Sequence, residues 1–286
     1  MIDLHIHTTA SDGASTPAQL VQEALSAGLS ALAVTDHDSL DGSEAAAHVA
    51  RQAGLDFLIG IELSTRFRDN GQIRGPSIHL LGYFLQGGPA AEFRDWVREL
   101  QASRQERNAG MIERLHALGL DVTLEELSML SSGMVGRPHF ARLLRAKGYV
   151  PDYESAFREY LGEPGRAYVP RKPAEVGDAI RRIRAAGGVS SLAHPVRLAR
   201  LGARFGEFIA RLKEAGLGAI EVYHSEHSEE DVERFRSLAR DCGLLATGGS
   251  DYHGDAKPEV RLGMGSTACC PIPVEIFDAL RESVRA

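Results

Sequence analysis

The chain has 286 residues, of which 43% are hydrophobic and 25% charged, and its formal net charge is −7. This length accommodates one large α/β barrel or two smaller domains, and no stretch reaches the roughly 20 apolar residues that span a bilayer. The acidic balance argues against a broad basic surface for duplex DNA, and the N-terminus shows no signal peptide, so we expect a cytoplasmic protein that binds no membrane.

Short apolar runs alternate with helical segments along most of the chain, the pattern of repeated βα units. In the first run, apolar and polar residues alternate, which predicts a strand with one buried face. The second run, residues 31–35, is continuous and predicts a buried strand. The predicted strands cover residues 2–7, 31–35, 57–63, 78–84, 189–193, 219–223 and 244–247.

Capping residues place the helices between the first strands. Thr16 and Gln19 form a capping box, which predicts a helix that ends near Gly28. Asp41 and Glu44 form a similar pair at the start of the next predicted helix. Helices are also predicted near residues 174–186 and 274–284.

The alternation stops between the fourth and fifth predicted strands, where residues 91–147 are mostly helical. We therefore predict an α/β barrel interrupted by a helical insertion that covers its site. The predicted parts are residues 1–98 for the first part of the barrel, 99–168 for the insertion and 169–286 for the second part.

Histidines and carboxylates stand in or just after the predicted strands. His5 and His7 are two residues apart on one strand, so their side chains point to the same face. In parallel α/β barrels the C-terminal ends of the strands form one rim, where active sites are built. We expect nine side chains to meet there: His5, His7, Asp12, His37, Glu62, His79, His194, Asp251 and His253.

Such a cluster predicts a metal site. Without cations it would bury unpaired polar groups at about 1–3 kcal/mol each, and its carboxylates would repel one another. Imidazole and carboxylate without thiolate suit manganese, iron or zinc. Because one ion needs only four to six ligands, we expect two or three divalent ions, and Glu62 would bridge two of them. Of the three metals, we expect manganese.

Six stretches of the sequence resemble the PHP family, named for its polymerase and histidinol phosphatase members. They are His5-Ile6-His7-Thr8 with Asp12, Thr35-Asp36-His37-Asp38, Glu62, His79, Ala193-His194-Pro195 and Gly249-Ser250-Asp251-Tyr252-His253. The resemblance implies a distorted seven-stranded (β/α) barrel with a trinuclear metal site. It implies one ion held by His5, His7, Glu62 and Asp251, a second by Glu62, His79 and His194, and a third by Asp12, His37 and His253.

The insertion carries Val135-Gly136-Arg137-Pro138-His139-Phe140, which resembles a bacterial subgroup of this family. Members of that subgroup act on nucleoside 3′,5′-bisphosphates, and some trim short RNA from the 5′ end. The resemblance therefore implies a phosphatase that removes the 3′-phosphate of a nucleotide. Short oligoribonucleotides are the alternative substrate.

Four further residues are candidates for contact with the substrate. Arg197 follows His194 by three residues, and Arg137 lies in the insertion motif, so both are expected to bind phosphate. Asn108, on a predicted insertion helix, is a weaker candidate, and His224 ends a strand and is a candidate proton donor. We expect water activated by the ions as the nucleophile, since no nucleophile elbow is present.

Three other functions fit parts of this pattern. A histidinol phosphatase would share the ligand set, and a nuclease or polymerase-associated unit would share the barrel. A metal-holding interaction module is the non-enzymatic alternative, although a degenerate module is expected to have lost ligands. The sequence shows no obligatory protein partner.

Overall fold

Eight strands form one sheet in a computed structural model that describes residues 1–69, 72–85, 87–131, 133–171 and 173–285. The strands are β1 (Ile2–Asp3), β2 (Ala31–Val34), β3 (Asp56–Asp69), β4 (Gln72–Phe84), β5 (Ala174–Glu175), β6 (Val189–Leu192), β7 (Ala219–His224) and β8 (Leu245–Gly249). Seven of them follow one another in the order β1-β2-β3-β4-β6-β7-β8, and β5 pairs with β3 outside that path. Each of the seven corresponds to one predicted strand.

Backbone hydrogen bonds between the two ends of this path nearly close the barrel. The Leu4 N–H donates to the Gly248 carbonyl at 3.1 Å, and the Asp251 N–H donates to the His5 carbonyl at 2.8 Å. A Cβ at Gly249 would lie 2.1 Å from the Cβ of His5, so only glycine permits this approach. The closure brings the first histidines of the chain beside its last predicted ligands.

Strand β4 runs opposite to its neighbours, which corrects the prediction of uniformly repeated βα units. The pairs β3/β4 and β4/β6 are antiparallel, whereas the other pairs along the path are parallel. The reason is that β3 and β4 extend well beyond the predicted strands and pair along their length as a long hairpin. In its register Ser64 lies opposite His79. His79 therefore lies within its strand and still reaches the rim where β3 carries Glu62.

Helices cover the outside of the barrel and build the insertion. They are α1 (Pro17–Ser26), α2 (Asp41–Ala53), α3 (Ala91–Ala117), α4 (Leu124–Ser128), α5 (Arg137–Ala146), α6 (Tyr153–Ala156), α7 (Val176–Ala185), α8 (Phe205–Glu214), α9 (Glu229–Cys242) and α10 (Glu275–Arg285). The capping box of Thr16 and Gln19 at α1 is confirmed. The predicted cap of α2 is wrong: Leu40 is its N-cap residue without a side-chain cap, and Asp41 and Glu44 lie within its first turn.

Helix α3 connects two apolar cores. Its Trp96 and Leu100 pack in the main core of the barrel, whereas Met111 and Leu115 belong to a separate cluster built from the insertion. The predicted boundary at residue 99 lies inside this continuous helix, and the division into parts stays a prediction. In the part of the chain that the structure describes, no helix has the length and apolar character needed to cross a membrane.

Candidate metal centre

The nine predicted ligands lie together at one rim of the barrel. Strands β1, β2, β6 and β8 end just before a ligand, while β3 and β4 carry Glu62 and His79 within them. The imidazoles of His5 and His7 are fully buried, and those of His37 and His79 are 18% and 22% exposed. The cluster is therefore a buried centre that opens to solvent on the side of His37 and His79.

Glu62 is the hub of this cluster. Its Oε1 lies 2.9 Å from His79 Nδ1 and 3.2 Å from His194 Nε2. Its Oε2 lies 2.9 Å from His37 Nδ1 and 3.3 Å from His7 Nε2. A carboxylate whose two oxygens face different sets of imidazoles has the geometry expected of a bridging ligand.

Asp251 and Asp12 flank the hub. Asp251 Oδ1 lies 3.2 Å from His7 Nε2 and 3.6 Å from His5 Nε2. Asp12 Oδ1 lies 3.4 Å from His253 Nε2, and its Oδ2 lies 3.8 Å from His37 Nε2. Asp251 therefore faces the two imidazoles that follow β1, whereas Asp12 faces imidazoles that follow β2 and β8.

Ligand atoms within 4.8 Å of one another form several groups of three that could hold an ion. His5, His7 and Asp251 form one group, which lacks the Glu62 of the first implied set, and Glu62, His79 and His194 form another, with the same members as the second implied set. The third implied set is brought together differently. Asp12 and His253 group with His7, whereas His37 groups with His7 and Glu62.

Unsatisfied atoms inside the cluster show that its residues fit metal ions. Among the described residues, five buried atoms of the cluster have no hydrogen-bond partner: His5 Nε2, His7 Nε2, His37 Nδ1, His79 Nδ1 and Glu62 Oε2. Unpaired buried polar atoms cost about 1–3 kcal/mol each, yet these face one another across short distances. Divalent ions between them would satisfy imidazole and carboxylate alike.

The pKa values of the ligands also indicate that the cluster favours positive charge. Burial alone would raise the pKa of the Glu62 carboxyl, but His37 and other imidazoles hold it well below its ordinary value. Burial alone would lower the pKa of His7, but Asp251 and Glu62 raise it to about 9. Burial lowers the pKa of His194 well below its ordinary value, which keeps that imidazole neutral, as metal binding requires. The carboxylates of the cluster thus favour a positive charge beside them, which bound cations would supply.

Two buried carboxylates near the centre, Asp36 and Glu221, were not among the site residues that the sequence analysis proposed. Asp36 accepts hydrogen bonds from the Thr8 backbone N–H at 2.8 Å and from the Ser11 hydroxyl at 2.6 Å, and so it shapes the loop that carries Asp12. Glu221 lies on β7 and accepts a hydrogen bond from the backbone N–H of His194 at 2.6 Å. The signal was an acidic residue inside or beside an otherwise apolar strand run, which is rarely left unpaired when buried.

Two of the ligands have strained backbones. His194 has φ 28° and Asp251 has φ 57°, in the region that residues with a side chain rarely adopt. Such strain concentrates at functional sites, where the surrounding structure holds it. It aims both side chains from the ends of β6 and β8 into the cluster.

The structure places the predicted substrate contacts at different depths. Arg197 reaches the cluster, with its Nη2 3.0 Å from Asp251 Oδ2. His224 is fully buried behind Asp251, with its Nε2 3.8 Å from the carboxylate, and its predicted proton transfer stays a prediction. Asn108 is buried and its amide donates to the Val135 carbonyl at 2.9 Å, so its visible contact is with the insertion backbone.

Two cavities meet at His79. The larger, of about 580 Å³, lies over the cluster and is lined by Asp12, Glu62, His79, Arg197 and Asp251, with Arg142 and Arg145 of α5 on its far wall. The smaller, of about 250 Å³, is lined by His79 and by Arg66, Arg104, Arg107, Arg137 and Arg171. We call them the metal cleft and the arginine pocket. Arg137, predicted to contact substrate, lies in the arginine pocket.

Sequence analysis also missed Arg104 and Arg107. They face the inside of α3 with Asn108 and Met111, at the three- and four-residue spacing of one helix face. Charged residues on the inward stripe of a helix were the signal that could have found them. Asp38 pairs with Arg104 and, at 3.1 Å, with Arg171.

A nearly closed α/β barrel with histidines and carboxylates crowded at one rim defines a hydrolase that works with divalent metal ions. The sequence profile of the PHP domain matches residues 3–169. The chain belongs to the PHP family, and it is a metal-dependent phosphoesterase of PHP type.

The known proteins that this chain resembles support the assignment to the PHP family. The chain is 34% identical over 256 residues to a 3′,5′-nucleoside bisphosphate phosphatase of Chromobacterium violaceum, with 88% of this chain and 87% of the relative covered. It is 31% identical over 252 residues to a 5′-3′ exoribonuclease of Haemophilus influenzae, covering 88% and 89%. A solved structure from Bifidobacterium adolescentis, described as a metal-dependent phosphoesterase, superposes with a TM-score of 0.83 at 29% identity, covering 99% of this chain and 96% of that one.

Proposed function

We propose that this protein removes the 3′-phosphate of nucleoside 3′,5′-bisphosphates, giving a nucleoside 5′-monophosphate and inorganic phosphate. The observation that carries the proposal is the arginine pocket beside the metal cleft, with His79 in the wall of both. A substrate with two phosphates would place one in the cleft and the other among the arginines. The bisphosphatase of Chromobacterium violaceum supports this choice of substrate.

Arg107 is the strongest sign that the arginine pocket binds an anion. Its side chain is 8% exposed, and its Nε has no hydrogen-bond partner among the residues that the structure describes. Burial, and then the positive charge of Arg104, lowers its pKa to about 8. Since a buried guanidinium is costly without a counter-charge, a phosphate in the pocket would complete its environment.

The remaining arginines differ in how far they are already neutralised. Asp38 pairs with Arg104 and Arg171, which fixes their side chains and already neutralises part of their positive charge. Arg137 lies over the ring of Phe157, with the guanidinium carbon 5.9 Å from the ring centroid. Arg107 and Arg137 are therefore the pair that we expect to contact the second phosphate.

In the metal cleft, the chain's own residues would orient the scissile phosphate. Divalent ions held by the nine ligands would activate water and balance phosphoryl charge. Arg197 is fixed by Glu226 through Nε, at 2.9 Å, and its Nη2 donates to Asp251. The guanidinium thus stands at the cleft wall, where it can contact a phosphoryl oxygen. The water oxygen bonds to phosphorus and gives up one proton, the P–O3′ bond breaks, and the leaving 3′-oxygen gains one proton, so that protons balance overall.

Comparison of substrates with matched leaving groups tests the proposal. The measurement is kcat/KM with manganese for a nucleoside 3′,5′-bisphosphate and for the same nucleoside 3′-monophosphate. Two charge-assisted contacts to the 5′-phosphate are worth about 3 kcal/mol, so we expect about a 100-fold preference for the bisphosphate. Equal values for the two substrates would contradict the proposal, and a chelator must abolish both rates.

A second candidate is removal of nucleotides from the 5′ end of short RNA. The metal cleft continues along α5 past Arg142 and Arg145 to Tyr153, so it has room and positive charge for a further nucleotide. The exoribonuclease of Haemophilus influenzae favours the same function. Stepwise release of mononucleotides from a 5′-phosphorylated trimer, faster than bisphosphate hydrolysis, would make this the main activity.

The two cavities also weigh against a histidinol phosphatase and against a non-catalytic module. Histidinol phosphate carries an ammonium group on the carbon next to its phosphate-bearing CH₂ and has no second anion for the buried arginines, which would repel that cation. A non-catalytic module would not need an open cleft over a complete set of metal donors. Turnover of histidinol phosphate above that of the bisphosphate would favour the histidinol phosphatase, and zero turnover with bound metal would favour the module.

A further inference from the structure

Glu221 is a buried acid that neither the cleft nor the arginine pocket uses. It is 0% exposed and lies on β7 between the buried apolar residues Ile220 and Val222. Removing a carboxylate from water costs several kcal/mol unless its oxygens are paired. The contacts of the Glu221 carboxylate therefore explain why the strand carries an acid at this position.

Each oxygen of Glu221 contacts a different part of the metal centre. Oε1 lies 2.9 Å from His5 Nδ1, and Oε2 accepts the backbone N–H of His194 at 2.6 Å. His5 groups with His7 and Asp251, whereas His194 groups with Glu62 and His79. One carboxylate thus touches a ligand of each of two candidate ion sites.

The contact with His5 fixes which ring nitrogen is free. An acceptor at Nδ1 places the imidazole proton there and leaves the Nε2 lone pair available. His5 Nε2 is buried and has no hydrogen-bond partner among the described residues, and it lies 3.4 Å from Glu62 and 3.6 Å from Asp251. The tautomer that Glu221 selects is the one that a metal needs at this position.

The contact with His194 supports a strained backbone. His194 has φ 28° and ψ 61°, and its N–H is held by Glu221 at the point where β6 ends. Strain of this kind persists only where the surroundings over-determine it. Loss of the acceptor would let the backbone relax and turn the imidazole away from Glu62, which its Nε2 meets at 3.2 Å.

We infer that Glu221 is a positioning residue that sets the tautomer of His5 and the backbone of His194 together, and so couples two ion sites of the metal centre. The inference rests on the proposed function only in taking the cluster as a metal centre. Both of its contacts are with donors, so two acceptor oxygens are required. A carboxamide offers one oxygen and one NH₂, which leaves one donor facing another donor.

The substitution Glu221→Gln tests this requirement with almost no change in volume. The measurements are Mn²⁺ bound per chain at equilibrium and the Mn²⁺ dissociation constants, not turnover alone. We expect the dissociation constant of the tightest ion to rise 10–100-fold, as for other partners of metal-ligating histidines. Ser191→Ala is the matched control, because Ser191 is buried on β6 and its hydroxyl contacts only Thr247, at 2.7 Å, among the bonds described.

Unchanged Mn²⁺ binding in Glu221→Gln, or equal weakening in Ser191→Ala, would overturn the inference. A fourth ion bound through Glu221, His5 and His224 would overturn it as well, since ligand atoms of these three residues also lie within 4.8 Å of one another. A second measurement needs no variant. In the metal-free wild-type protein, ¹⁵N shifts of the ring nitrogens must show His5 protonated at Nδ1, and protonation at Nε2 alone refutes the role of Glu221. A wild type with the expected tautomer that binds no Mn²⁺ would refute the metal centre and leave the Glu221 contacts standing.

Discussion

Arg197 Nη2 donates to Asp251 Oδ2 at 3.0 Å, while the other oxygen of Asp251 lies 3.2 Å from His7 Nε2. One carboxylate therefore joins a cleft-wall arginine to the buried metal ligands. Glu226 holds the same guanidinium from the other side through two hydrogen bonds. The arginine is thus fixed before any substrate arrives, which is the condition under which a cation stabilises a transition state most effectively.

Replacing Arg197 should therefore affect catalysis more than metal binding. For Arg197→Ala we expect kcat to fall about 100-fold, because the fixed positive charge that would contact the phosphoryl group is lost. The Mn²⁺ content per chain should be unchanged. The control is Arg240→Ala, since Arg240 is 73% exposed and pairs only with its neighbour Asp241 in the described structure. A loss of metal in proportion to the loss of activity would show that Arg197 is structural.

Removal of metal should lower the thermal stability of the protein. Ions that bind only the folded state stabilise it by about 4 kcal/mol when their concentration is 1,000 times the dissociation constant. For a domain of this size, this raises the melting temperature by about 8 °C. Differential scanning fluorimetry with EDTA and with Mn²⁺ measures the difference. In Glu62→Gln, the increment on adding Mn²⁺ should be largely lost, because the hub of the cluster is changed.

The matched control for Glu62 is Glu233→Gln, since Glu233 is 64% exposed and lies on α9, outside the cluster. It should respond to Mn²⁺ like the wild type. Identical melting temperatures of the wild type in EDTA and in Mn²⁺ would count against a metal centre.

Arg107→Met should improve stability and impair substrate binding. Methionine keeps the apolar stem and removes a buried charge, so we expect the free energy of unfolding to rise by about 1 kcal/mol. The KM for the nucleoside 3′,5′-bisphosphate should rise about 10–100-fold, while kcat/KM for p-nitrophenyl phosphate, which has one phosphate, stays the same. Arg137→Ala should shift KM in the same direction.

Arg98→Met is the control for the arginine pocket, because Arg98 lies on the same helix and is 69% exposed. It should leave both substrates unaffected. If Arg107→Met weakens both substrates equally, the pocket does not bind the second phosphate.

Because of Asp38, the free energy of unfolding of the metal-free protein should depend on pH in the acidic range. Burial alone would raise the pKa of its carboxyl, but Arg104 and Arg171 hold it well below the ordinary value. A depressed pKa in the folded state stabilises the fold above the unfolded pKa of about 4, and this contribution is lost as pH falls towards the folded pKa. Asp38→Asn should therefore cost about 3 kcal/mol at pH 7 and progressively less below about pH 4.

Urea unfolding of both proteins in EDTA, between pH 3 and 7, measures this difference. Asp178→Asn is the control, because Asp178 is 43% exposed and pairs with Arg182 on the surface of α7. Such a pair contributes at most about 1 kcal/mol. A gap between wild type and Asp38→Asn that stays constant with pH would show that the arginines do not depress this pKa.

The sequence by itself determined the seven strands of the barrel, the capping box of α1 and a full set of nine metal-ligand candidates. These features are local: apolar runs record burial, Thr16 and Gln19 are three residues apart, and donor side chains stand next to strand ends. Closure of the barrel then brought residues from both ends of the chain to one rim. The residues that each implied ion would use stay a prediction, because the third set is grouped differently from the resemblance.

Only the tertiary structure decided the reversal of β4, the dual contact of Glu221 and the arginine pocket. A buried run packs equally well in either strand direction, so its direction follows from the hairpin with β3. A buried acid or arginine is stable only if its partner is near, and the partners of Glu221 lie 27 and 216 residues away in the chain. No local pattern encodes such a pairing, because its energy arises only when folding removes both groups from water.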